Sequence, residues 1–228
     1  MNFDFDVIAR ALPYLFSGMQ YTVKLTLIAM SGGIVIGTVL ALMRLSPIKP
    51  LSLFAAAYVN LFRSIPLVLV IFWFYFLVPL IAQWAMNSPR PIPVGPDLTA
   101  IITFTIFEAA YYAEIMRAGI QSIPRGQVSA AYALGLNYRQ AMAYVVLPQA
   151  FRNMLPILLT QTVILFQDTS LVYVISVTDF LGAASNVAQR DGRLVEMYSF
   201  VALVYFAISF ALSRFVRRLQ FRLTPAAR

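Results

Sequence analysis

The sequence predicts an all-α polytopic membrane protein, a single domain over residues 1–228 whose chain crosses the bilayer five times. Three observations predict it. Hydrophobic residues make up 61% of the chain and charged residues only 11%, against about 25% charged in a soluble domain. Five apolar runs are each long enough to cross roughly 30 Å of hydrocarbon. The lysines and arginines, which give a net charge of +8, sit mainly beside those runs. That placement is the retention of basic residues on one side of a membrane, not a nucleic-acid footprint.

The N-terminal stretch MNFDFDVIARALPYLFSG mixes Asp4, Asp6 and Arg10 with aromatics. A secretory leader begins with basic residues, so this stretch predicts a short interfacial helix ahead of the first span. The first span runs from Thr22 to Met43. Its Ser31, Gly32, Gly33 and Gly37 form a small-residue face on which another helix can pack closely. Leu51 to about Trp84 is too long for one upright helix and is broken by Arg63 and Pro66. It reads as a kinked second span or a surface lead-in (Leu51–Phe62) to a core at Leu67–Leu80. The proline-rich interval Asn87–Asp97 is a loop. A third span follows from Leu98 to Ala118, with Gly119 as its expected stop. The fourth covers Gln149 to about Val177, a polar connection covers Thr178–Glu196, and the fifth covers Met197 to about Leu212.

The interval from Ser122 to Pro148 is the longest polar-containing stretch between two apolar runs. It predicts two short helices that meet at a glycine. Pro124 suits a first helical turn, and Gly135 suits the left-handed residue that closes a helix. Asn137 with Gln140 has capping-box spacing. Ala130, Ala131, Ala133 and Gly135 leave a bare face, with Val128, Leu134 and Leu136 as its apolar edge. If this loop is cytoplasmic, the inner side holds Arg44, Lys49, Arg117, Arg125, Arg139, Arg152 and five tail arginines through Arg228. The outer side then holds Arg10, Lys24, Arg90, Arg190 and Arg193. This bias predicts an outer N-terminus and a cytoplasmic C-terminus.

Other chemistry is narrowed by what the chain lacks. With no cysteine and no histidine, disulfides, thiolate nucleophiles and the common zinc sites drop out. No glycine opens a GxxxxGK[ST] phosphate loop, so an energised transporter built from this chain must borrow its ATPase. The nine carboxylates are scattered and form no catalytic constellation. No enzyme activity, cofactor, metal or nucleic-acid partner is expected.

Ser129, Ala130, Ala131, then Gly135, then Val145, Val146, Leu147 and Pro148 resemble the cytoplasmic EAA loop of permease subunits in binding-protein-dependent ABC importers of type I. Ser129 stands where that family carries its leading glutamate. FRSIPL resembles the family's FRGTPL segment, with Ser64 and Ile65 departing at its centre. AYVNLFRSIPLVLVIFWFY, FEAAYYAEIMRAGIQSIPRGQ and LFQDTSLVYV are similar to glutamate/aspartate importer permeases of Gram-negative bacteria. The resemblance implies a complex in the bacterial inner membrane: two like or related permeases, two cytoplasmic ATPases, and a periplasmic binding protein that delivers an amino acid. It also implies that residues 122–148 insert into a groove of the ATPase, with Ser129, Ala130, Ala131, Gly135, Leu147 and Pro148 carrying that coupling. An ion-coupled carrier would need more spans. A scaffold without transport would keep its polar groups at helix contacts.

On the fourth span Asn153, Thr160 and Gln167 recur every seven residues, and Gln161 and Asp168 do so one residue along. They fall near one stripe. Ending in Gln167, Asp168, Thr169 and Ser170, the stripe either lines the translocation pathway or serves the helix: Asp168 capping a local break, Gln161 binding a neighbour. Arg63, with Ser64, either meets a substrate carboxylate or anchors the helix at the inner interface. Family members that move basic amino acids carry the same arginine, so it does not set preference for an acidic side chain. Glu114 and Arg117, three apart, predict a surface ion pair. Glu108 faces either the pathway or a subunit contact.

Overall fold

A computed structural model describes residues 3–223 and contains helices and no strand among them. Helix α1 spans Phe5–Leu45, α2 Lys49–Arg63, α3 Leu67–Ala85, α4 Pro96–Gln121, α5 Arg125–Ala133, α6 Tyr138–Ile175, α7 Phe180–Asp191 and α8 Leu194–Leu223. Five of them, α1, α3, α4, α6 and α8, are long and apolar enough to cross a membrane. The tail arginine at 228 lies outside the described residues.

Helix directions alternate as five crossings require. α1 and α4 run parallel: Gly32 meets Thr105, Gly33 meets Glu108 and Tyr112, and Gly37 meets Ala109 and Ala113. A Cβ on Gly37 would come within 3.0 Å of the Ala109 carbonyl and the Ala113 amide. The small face foreseen on the first span is therefore where two backbones touch. α6 runs the opposite way, with Met154 against Gly119 and Thr162 against Tyr112. α2 also opposes α4: Ala55 and Val59 pack on Ala109, Ala110 and Ala113, and the Tyr58 hydroxyl donates to the Ile106 carbonyl at 2.7 Å. α8 begins beside the start of α1, where Met197 and Val201 pack on Val7 and Ala11.

Several boundaries differ from those the sequence suggests. The expected interfacial helix and first span are one helix of 41 residues, about 60 Å long at 1.5 Å per residue. Pro13 does not break it, and its N-terminal third packs on α7. Of the two readings of residues 51–62 the lead-in holds: they belong to a separate helix that ends at Arg63, and the span proper starts at Leu67. Gly119 is not a stop. It lies buried inside α4, where it makes room for Met154, and the helix closes at Ser122. The connection after the fourth span is the helix α7, bounded by the cap Asp179 and by Gly192 at φ +67°. It buries Phe180, Ala183, Ala184, Val187 and Ala188. The fifth span continues through most of the basic tail, to Leu223.

Two wide π turns, Trp73–Leu77 in α3 and Ala141–Val146 in α6, each run up to a proline, Pro79 and Pro148. The amides of Val78 and Leu147 bond five residues back, to Trp73 and Met142. A proline inside a helix removes one bond and crowds the preceding turn, and widening that turn relieves it. Pro148 therefore does not separate a short helix from the fourth span. That span begins at Tyr138.

Candidate functional site

The loop between α4 and α6 is built around a helix end. In α5, which starts after the cap Pro124 and not on it, Leu136 N–H reaches the Ala131 carbonyl and Gly135 N–H reaches the Tyr132 carbonyl. With Gly135 at φ +81°, this is the paired closure that a left-handed glycine allows. Asn137 and Gln140 then form the expected capping box, at 3.0 Å in both directions. Ser129, Ala130 and Gly135 are exposed, as are Leu147 and Pro148 at the root of α6. Ala131 is buried, so it faces its own protein and does not belong to the bare face. Val128 also turns inward, onto Ile123, Val146 and Ala150. What the loop presents instead is Leu134, 82% exposed, and the exposed Tyr132, Tyr138 and Tyr144 of the same interval. A cluster of exposed apolar side chains on one loop marks a contact surface. The three tyrosines carried no helical periodicity, and only their shared loop could have pointed to them.

The root of this loop is pinned to the spans. Asn153 Nδ2 donates to Ser122 Oγ at 2.9 Å, and Ser122 Oγ donates to the Gly119 carbonyl at 2.7 Å. Asn153 thus ties the loop to the N-terminal half of α6.

A second group of polar residues lies halfway along α4. Glu108 lies about 17 Å from Asp97 and about 20 Å from Gln121 at the helical rise. It is fully buried and accepts from Gln161 Nε2 on both oxygens, at 3.3 and 3.2 Å. Its contact is inside its own chain. Tyr111 lies within electrostatic reach of Glu108, Asp168 and Arg63, and the Arg63 guanidinium stands 5.6 Å from the Tyr111 ring centre. Two helix breaks meet here. α2 ends at Arg63, with Ser64 to Pro66 between it and α3, and α6 tightens into a 3₁₀ turn from Thr169 to Ile175. Leu67, Val70 and Ile71 share one core cluster with Val172 and Ile175.

The stripe on α6 divides. Asn153, Thr160 and Gln167 are exposed, Asp168 and Ser170 are half-buried, and Gln161 and Thr169 are buried. The Thr160 and Thr169 hydroxyls donate to the carbonyls of Pro156 and Phe166, and the Ser64 hydroxyl donates to that of Asn60.

Glu114 is not half of a surface pair. Arg117 holds it with two nitrogens, at 2.5 and 3.0 Å. Arg44 at the end of α1 bonds its other face, and Arg63 approaches to 3.9 Å. The four residues come from three helices, which no spacing in the sequence discloses.

Five crossing helices, a pinned loop with an exposed apolar tip and a polar layer halfway along α4 are the parts of a membrane transport component. The chain belongs to the family described as the binding-protein-dependent transport system inner membrane component, which matches residues 33–225. It is a multi-pass ABC importer permease. It is 53% identical over 221 residues to the glutamate/aspartate import permease protein GltK of Escherichia coli O157:H7, covering 97% of this chain and 98% of that one. It is 35% identical over 206 residues to the probable glutamine ABC transporter permease protein GlnM of Bacillus subtilis (strain 168), covering 90% and 91%. Its fold matches the crystal structure of an amino acid ABC transporter with histidines at TM-score 0.88 and 31% identity, over 97% of this chain and all of that one.

Proposed function

We propose that this permease carries an acidic amino acid, glutamate or aspartate, inward, with its N-terminus outside and its C-terminus in the cytoplasm. The observation that carries the reading is the mid-depth layer at the two helix breaks, with Arg63 half-exposed beside it. A guanidinium at that depth is costly unless a partner or an aqueous path faces it, and an amino acid brings a carboxylate that fits. The exposed Thr160 and Gln167, with the half-buried Asp168 and Ser170 at the turn, continue the path, and the buried Thr169 supports that turn from within. Gln161 serves it from behind through Glu108. Arg63 takes the α-carboxylate that all amino acids share; the relatives named for glutamate/aspartate supply the acidic preference.

The loop 122–148 meets a cytoplasmic ATPase dimer through Ser129, Ala130, Gly135, Leu134, Leu147 and Pro148, while Ala131 packs the loop from within. A second permease, like or identical, completes the path, and a periplasmic binding protein presents the cargo. Closure of the ATPases swings the loop, and the pinned roots of α4 and α6 tilt the spans between outward and inward openings.

The test is ATP-dependent uptake by the complex reconstituted in vesicles, with labelled glutamate, aspartate, glutamine and cystine offered in turn. Preferential uptake of the first two is expected. Preference for glutamine or cystine would overturn the substrate, and uptake without any ATPase would overturn the coupling.

A further inference from the structure

We propose that Glu114 is a positioning residue that reports cargo at Arg63 to the loop that meets the ATPase. This rests on the reading of Arg63 as the partner of the cargo carboxylate. Three guanidiniums from three helices converge on one carboxylate, so the cluster holds a surplus of two positive charges. The contacts are unequal. Arg44 and Arg117 are about one-fifth exposed and bond Glu114 directly, whereas Arg63 is 42% exposed and stands at 3.9 Å. Arg63 is the cation free to take another anion.

The other side of the cluster leads to the loop. Arg117 also donates to Gln121, the last residue of α4. The next residue, Ser122, holds Asn153 of α6. A cargo carboxylate that draws Arg63 toward the path relieves Glu114 of one of three competing cations. Glu114 then holds Arg44 and Arg117 more tightly, and the last turn of α4 stiffens where the loop begins. Coupling of this kind requires one element that both sites bias, and the Glu114 carboxylate is that element.

The readout is ATP hydrolysis by the whole complex, with binding protein, in the presence and absence of glutamate. Glu114→Gln is expected to lower the ratio of stimulated to basal hydrolysis at least about fivefold, the lower end of measured allosteric couplings. Arg63→Gln, which mimics an occupied arginine, is expected to raise basal hydrolysis and shrink the ratio. In the double variant Arg63→Gln should add nothing to Glu114→Gln. If Glu114→Gln does not assemble, Glu114→Asp keeps the charge but withdraws it from Arg63, and a roughly twofold lower ratio is expected, the scale of a partly exposed ion pair. An assembled variant at Glu114 with an unchanged ratio overturns the proposal, as does an equal loss of both rates. An unchanged KM for glutamate uptake in Arg63→Gln overturns the cargo reading of Arg63 instead, so the two failures differ.

Discussion

Gln161 donates its side-chain amide to both oxygens of Glu108 in a layer where both side chains are buried. The two residues are 53 apart in the chain, and each is the other's main polar partner across the α4–α6 contact.

The pair predicts an asymmetry between its two removals. Gln161→Leu leaves a buried carboxylate without its donor and should cost about 1–3 kcal/mol. Glu108→Gln keeps an acceptor for Gln161 and should cost less. Thermal unfolding in detergent, followed by loss of the monodisperse peak, ranks the two. Equal melting temperatures, or a more stable Gln161→Leu, would show that the contact is not holding α4 to α6.

The loop prediction follows from which way its residues face. Ala131→Arg would seem a natural way to block an ATPase contact, but Ala131 is buried, so that change damages the protein before it touches a partner. Leu134→Asp is the clean test. It alters a side chain that is 82% exposed, so the melting temperature of the permease should stay unchanged while ATPase co-purification falls. Gly135→Val should lower both, since a branched residue forced to φ +81° costs about 1–2 kcal/mol. Gly135→Asn should be milder, because asparagine tolerates that region. Retention of the ATPase by Leu134→Asp would remove this tip from the interface.

Local signals in the sequence carried well into the structure, and signals that needed two distant segments did not. The five spans, the glycine that closes α5, the Asn137–Gln140 box and the close face at Gly33 and Gly37 all follow from residue type and spacing within a few turns. The helix α7 was hidden because its buried face is mostly alanine and glycine, which register as weakly polar, although Asp179 and Gly192 mark its two ends. Gly119 misled for a related reason: a glycine near a helix end suggests a stop, and here it admits the Met154 side chain. The cluster at Glu114 joins residues 44, 63, 114 and 117, and the local pair spaced by three concealed the two distant arginines.

The start of α7 gives a pH-dependent prediction. Asp179 is fully buried between the fourth and fifth spans and caps α7 by accepting from Gly182 N–H at 2.8 Å and Leu181 N–H at 3.2 Å. Burial raises its pKa from 3.8 to about 6, and those amides only partly oppose the rise. The native state therefore binds the proton more tightly than the unfolded chain. The stabilisation is complete below pH 3.8 and is lost as pH rises through about 6. At 1.36 kcal/mol per unit the ionised form costs up to about 3 kcal/mol at pH 7. Asp179→Asn keeps one cap acceptor, loses the other at about 1 kcal/mol, and carries no charge at any pH. The variant should melt above the parent at pH 7 and below it at pH 4, with the curves crossing at about pH 4.5. Parallel melting curves across that range would mean that Asp179 is solvated in the assembled protein and that its cap bonds alone fix the start of α7.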